Sequence, residues 1–305
     1  MQIRSVAMGR GLAWLAESLD VAGKRPATVF GAALLAVTTA VAAAILAGLL
    51  LMPSFESEVE PTRLLTASLP LFLLAVALQP LLMAGLLVVI ARVERGESVA
   101  ANAVFDGFRG GRLLPLASLG LIQIAAAALN LSMLGLLGGD GYLDRYLDAM
   151  THLMSGGELD PSAIPVPEHG GLLNLSNLLI NALAMALLAF SVPQVALAGL
   201  GPWAALTTAF AAILRNLPAL ALATLIGIVG LFVSALLLGL ASALLGVLGN
   251  LISTALPTVL VFAVLVAWML ALVTILAGAT YLAWRDILAD GQGSPPVRDA
   301  SIAEL

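Results

Sequence analysis

The sequence predicts an all-α membrane protein: six transmembrane helices, arranged as three parallel units, each a short interfacial helix followed by a two-span hairpin. Three observations predict it. Residues of the AVILMFWYC set make up 61% of the 305 and charged residues only 10%, where soluble domains hold about 45–50% and about 25%. The apolar residues gather in six long runs, and none of the 13 basic or 18 acidic residues falls inside one. A plan of amphipathic stretch, basic residue and proline recurs ahead of the first, third and fifth runs.

The chain opens on GRGLAWLAESLDVAGKRP, where Leu12, Leu15, Ala16 and Leu19 recur at helical spacing. It lacks the apolar core of a signal peptide. Lys24 and Arg25 follow, then Pro26, which suits the first turn of a helix. The first span is Thr28–Met52. A helix needs about 20 apolar residues to cross a hydrocarbon core of about 30 Å, and every run is at least that long. Glu56, Glu58 and Glu60 mark the first outer loop. The second span, Leu64–Ala91, carries Gln79 before Pro80.

The plan repeats in NAVFDGFRGGRLLP, with Val104, Phe105 and Phe108 apolar, then Arg109, Arg112 and Pro115. The third span, Leu113–Leu137, holds Gln123 and Asn130. An outer loop over 138–171 contains GDGYLDRYLDAMTHLM, an amphipathic helix with Leu143, Tyr146, Leu147, Met150, Leu153 and Met154 on one stripe. The fourth span, Leu172–Leu200, places Asn174, Asn177 and Asn181 on one face and Gln194 after Pro193. WAALTTAFAAILRNLP repeats the plan again, with Trp203, Leu206, Phe210 and Ile213, then Arg215 and Pro218. The fifth span, Leu217–Val247, has small residues Ala235, Gly239 and Ala243 at the spacing that lets helices approach closely, by default inside the bundle. The sixth is Leu256–Trp284. Continuous runs of this length are helices rather than alternating barrel strands. Residues 1–290 form one transmembrane domain, and the tail 291–305 (GQGSPPVRDASIAEL from Gly291) reads as disordered by composition.

Lys and Arg set the orientation. Eleven of the 13 lie on the side of the two termini, and only Arg63 and Arg145 lie opposite. Both termini are therefore expected in the cytoplasm. The outer side is acidic. Trp14, Trp203, Tyr281 and Trp284 fall near the expected inner interface, and Tyr142 and Tyr146 near the outer one.

This composition excludes a soluble enzyme, a disordered chain and a nucleic-acid binder, since no basic patch exists. With no cysteine there is no thiol chemistry and no disulfide. No span contains an ionisable residue, which disfavours an ion-coupled pump. No P-loop, HExxH or GxSxG occurs. No cofactor is expected. Asp144, Asp148 and His152 stand at i, i+4, i+8, and Asp140 or His169 could add a ligand. Consecutive i+4 steps drift around a helix, so an ordinary solvated face is the better reading and no metal site is assigned.

Two constellations remain. Gln79, Gln123, Asn130, Asn174, Asn177, Asn181 and Gln194 are polar amides inside spans. They form either a groove that admits a headgroup, water or small solute, or interhelical hydrogen bonds. Lys24, Arg25, Arg109, Arg112 and Arg215 adjoin the interfacial helices and are candidate contacts for anionic lipid headgroups.

The GRGLAWLAESLD opening, VERGESVAANAVFDGFR, WAALTTAFAAILRNLPAL and the YLAWRDIL ending resemble a family of six-span bacterial inner-membrane proteins without an assigned activity. The layout is also similar to the membrane domain attached to some glycerophosphodiester phosphodiesterases. The resemblance implies the six-span fold and an inner-membrane location, and it carries no catalytic residue. The expected partners are membrane lipids, with a protein partner or further copies left open and nucleic acid excluded. The leading expectation is a non-enzymatic protein acting through lipid contact or partner binding. The alternatives are a facilitative path for a small or lipid-like solute, and an enzyme using the outer acidic loop.

Overall fold

The computed structural model describes residues 3–51, 61–109, 111–154, 165–250, 253 and 255–289. The tail beyond 290, and Glu56, Glu58 and Glu60 of the first outer loop, lie outside the described residues. Among the described residues the secondary structure is helical, with no strand. Six helices are long and apolar enough to cross a membrane. They are α2 (Pro26–Leu51), α3 (Pro61–Glu94), the pair α4 (Leu113–Ser118) and α5 (Leu121–Leu137) acting as one, α7 (Gly170–Ala196), α9 (Leu217–Asn250) and α10 (Leu256–Leu288).

Three shorter segments precede hairpins: α1 (Arg10–Lys24), a 3₁₀ segment (Ala101–Phe108) and α8 (Pro202–Arg215). The second was expected as an α-helix. It holds only eight residues, including Gly107, and its backbone presses onto α3: a Cβ on Gly85 would have no room against the Val104 carbonyl. The third span keeps its expected bounds, Leu113–Leu137, with a turn at Leu119–Gly120. Gly120 lies against α3 there, where a Cβ would stand 2.6 Å from the Val76 carbonyl oxygen.

Both ends of the chain meet at one face, since the Arg4 N–H donates to the Ile287 carbonyl at 2.9 Å. The inner half of α3 forms the centre of the packing at this terminal face. From Leu86 to Ala91 every residue is buried. Around it lie α1, α2, the 3₁₀ segment, α7 and α10. At the far face the helices show most of their apolar side chains outward, α9 most of all. That exposure is what a hydrocarbon solvent permits, because lipid is as apolar as leucine. There α6 (Tyr142–Met154) rests on the end of α5, with Tyr142 buried against Gly138. The loop returns to α7 as the Glu168 and His169 N–H groups donate to Gly138 and Leu137, both at 3.0 Å.

The short helices press one face on the bundle and turn the other outward. On α1 the buried residues are Gly11, Trp14, Ser18, Val21 and Ala22, while Leu12 and Leu19 are exposed. On α8 they are Ala205, Ala209, Ala212 and Ile213, while Trp203, Phe210 and Leu214 are exposed. Small residues face the bundle because a helix laid on a span must come close to it. On α1, a Cβ on Gly11 would have no room against the Ala219 carbonyl, and one on Gly278 of α10 would stand 2.9 Å from Ser18 Cβ. Bulky residues then point outward. Of the aromatics expected near the inner interface, Trp14, Tyr281 and Trp284 are core residues, and Trp203, at 75% exposure, faces out. The small-residue stripe of the fifth span meets no neighbour among the described residues: Gly227, Gly230, Gly239 and Gly246 on α9 have none of them within 4 Å of a Cβ position.

Candidate functional site

Two regions gather polar side chains. The first is the terminal face, where α1, α3 and α10 converge. Arg10 reaches Asp286 at 2.7 Å and Glu17 at 2.7 Å. Trp14 Nε1 donates to the same Asp286 oxygen at 2.9 Å. Arg285 meets Glu94 at 3.3 Å and Glu17 at 3.8 Å, and Lys24 meets Glu94 at 2.6 Å. Three cations and three anions are thus cross-neutralised between elements far apart in sequence. Burial works against the Arg10 charge, but its bonds to Glu17 and Asp286 outweigh that and raise its pKa above the ordinary value.

This network decides which basic residues are left for other partners. The half-exposed Lys24 ammonium is engaged by Glu94. Arg112 donates to the Ala196 carbonyl at 3.0 Å, capping the end of α7. Arg25 reaches the Gly96 carbonyl at 3.4 Å. Arg109 and Arg215 are exposed, and among the described residues neither meets a carboxylate. Arg215 ends α8, whose outward face carries Trp203, Phe210 and Leu214.

The buried Asn216 follows Arg215. Its side chain accepts from Val6 N–H at 2.9 Å and donates to the Arg4 carbonyl at 3.0 Å. It pins the N-terminal segment to the turn between α8 and α9. Neither this residue nor the ion network was read from the sequence, because the bonds that join separate elements link residues from 70 to 276 positions apart.

The second region is a half-open cavity of about 250 Å³ between α3, α5 and α7. It is lined by Gln79, Gln123, Asn130 and Asn181, with Phe72, Ala126, Ala127, Ala184 and Met185 completing the wall. Gln123 donates to Gln79, and Asn130 Nδ2 donates to Asn181 Oδ1 at 3.4 Å. The Asn181 amide also donates to the Asn177 carbonyl at 2.8 Å. Asn130 Oδ1 is buried with no hydrogen-bond partner.

The other three amides stand elsewhere. Asn174 is exposed nearer the start of α7, and Asn177 joins only through its backbone. Gln194 is fully buried near the terminal face. It donates to the Phe190 carbonyl at 2.9 Å and the Ala205 carbonyl at 3.1 Å, stitching α7 to α8 beside Pro193. Proline removes an N–H from the helix ladder, and a side-chain amide is well placed to satisfy carbonyls there.

Among the described residues no three His, Asp or Glu side chains gather so as to hold a metal ion. Compared with family models, with curated proteins and with solved structures, the chain matches none.

Proposed function

We propose that this is an integral protein of a bacterial inner membrane that acts by holding anionic lipid at its terminal face, which is the cytoplasmic one. The observation that carries the reading is the two-sided build of the surface helices. On α8, Ala205, Ala209 and Ala212 press on the bundle, while Trp203, Phe210 and Leu214 point away beside Arg215, which meets no carboxylate among the described residues. Bulky apolar groups at the level of the acyl boundary, with a guanidinium above them, fit the membrane interface. A phosphate is a natural bidentate partner for such a guanidinium. The excess of Lys and Arg on this side supports its cytoplasmic placement.

The same reading includes a three-unit plan. Support comes from where the surface segments lie: α1 on α9 and α10, the 3₁₀ segment on α2 and α3, and α8 on α7. Each rests on the hairpin before the one it leads into, and α1 rests on the last, so the order is cyclic. Two units share a further feature. Arg92 and Arg285 stand seven residues after Gly85 and Gly278, and each meets an acid of the surface segment, Asp106 at 3.5 Å and Glu17 at 3.8 Å.

The test is lipid mass spectrometry on protein purified with its native lipid. Wild type should retain anionic phospholipid over zwitterionic, and Arg109→Gln with Arg215→Gln should lose that preference. Absence of any preference in wild type, or its full survival in the double variant, would sink the proposal.

A further inference from the structure

We infer that the cavity between α3, α5 and α7 is a binding site for an uncharged, hydroxyl-bearing lipid headgroup that enters sideways from the membrane. This is independent of lipid contact at the terminal face, and it concerns a different part of the molecule.

Depth is the first argument. Gln79 and Asn181 each lie fifteen residues before the terminal-face ends of their helices, Glu94 and Ala196. At about 1.5 Å per residue that is roughly 22 Å from the terminal face, inside the hydrocarbon region. The open side of the cavity is walled by exposed Phe72, Gln79, Asn181 and Met185. At this depth an exposed side chain faces acyl chains, so the mouth opens to lipid.

Charge is the second. Among the described residues no Asp, Glu, Lys, Arg or His lines the cavity. A charged group held there without a counter-charge is strongly disfavoured in the hydrocarbon region. The occupant is therefore neutral.

Hydrogen-bonding capacity is the third. Four amides supply four carbonyls and four NH₂ groups, and they spend little of this on each other. Both donors and acceptors are left over whichever way each amide is turned. Asn130 Oδ1 is the clearest case, buried and without a donor. An orphan carbonyl of this kind pays its desolvation without return until a donor reaches it. A hydroxyl group both donates and accepts, so it answers both needs at once.

Size and shape are the fourth. A volume of about 250 Å³ falls short of the roughly 300–1,000 Å³ of pockets for drug-sized molecules. It suits a headgroup of a few carbons. Gln123 and Asn130 are seven residues apart on α5, about 10 Å along its axis. The wall between them is Ala126 and Ala127. The site thus has two polar poles joined by an apolar strip, and its open side leaves an acyl chain in the membrane.

The experiment uses the full chain in detergent micelles with three probes: a long-chain monoacylglycerol, its hydroxyl-free methyl ester of equal chain length, and glycerol alone. Retention is read by native mass spectrometry and competition. Wild type should retain the monoacylglycerol at least about tenfold better than the methyl ester, as expected for two or more hydrogen bonds of roughly 0.5–1.5 kcal/mol each. Asn130→Leu should remove that preference. Asn181→Leu should reduce it and, being exposed to lipid, should keep the fold, as checked by tryptophan fluorescence during thermal unfolding. Binding of glycerol alone with the same variant dependence would keep the hydroxyl site and assign it a water-soluble source. Equal retention of ester and alcohol, no retention of any probe, or a preference untouched by both variants would overturn the inference.

Discussion

Asp286 near the end of α10 is the best place to test the tertiary packing of the terminal face. One of its carboxylate oxygens receives Arg10 Nε at 2.8 Å, Arg10 Nη2 at 2.7 Å and Trp14 Nε1 at 2.9 Å. An acid at a helix C-terminus is unfavourable toward the helix dipole, so these donors are what hold it there. Hydrogen bonds to charged groups are worth about 1.5–3 kcal/mol, and partial exposure of both side chains lowers that figure. Asp286→Asn keeps an acceptor for the indole but removes the charge, and should cost about 1–2 kcal/mol. Asp286→Ala also strands the Trp14 N–H, which is only 1% exposed, and should cost about 2–4 kcal/mol. The assay is equilibrium unfolding in mixed micelles, run as a double-mutant cycle with Arg10→Gln. A coupling of about 1 kcal/mol or more is expected. Zero coupling, or an alanine variant no worse than the asparagine, would refute the reasoning.

Gly85→Ala should lower stability by about 1–3 kcal/mol or more, because the new Cβ has no room against the Val104 carbonyl. Gly239→Ala, with no neighbour within 4 Å, should be neutral or slightly stabilising in the same measurement. In single-tryptophan variants with brominated lipid, the Trp203 protein should be strongly quenched and the Trp14 protein hardly at all; equal quenching would contradict the two-sided surface helices. The Glu97 carboxyl is held below its ordinary value by its hydrogen bond from Arg95, so that bond is complete above the unfolded-state value and is lost as pH falls through the depressed one. Arg95→Gln should return the Glu97 titration, followed by NMR, toward the ordinary carboxylate range.

The spans were legible because hydropathy is a local property. The expected limits of the first, fifth and sixth runs differ from α2, α9 and α10 by only a few residues. The surface segments were legible for a related reason, since proline after a basic residue punctuates the chain. The residues they bury were not. Leu12, Leu19, Trp203 and Phe210 mark an apolar face by their bulk and are exposed, while the glycine, serine and alanine that meet the bundle carry little hydropathy signal. The sequence brought Gln79, Gln123, Asn130 and Asn181 to notice, but not which amide pairs with which across the helices. Gln194 looked like a member of the same group and is instead a stitch between α7 and α8.

The sequence by itself determined an all-helical chain with six spans, because a charge-free apolar run of sufficient length has one low-energy state in a bilayer. Only the tertiary structure decided that α3 is central and α9 peripheral. Lipid and protein interior are equally apolar, so hydropathy cannot rank helices by burial. Likewise, which arginines are neutralised and which stay open depends on acids brought near from distant parts of the chain. Glu94 and Asp286 take up Lys24, Arg285 and Arg10, and they leave Arg109 and Arg215 exposed.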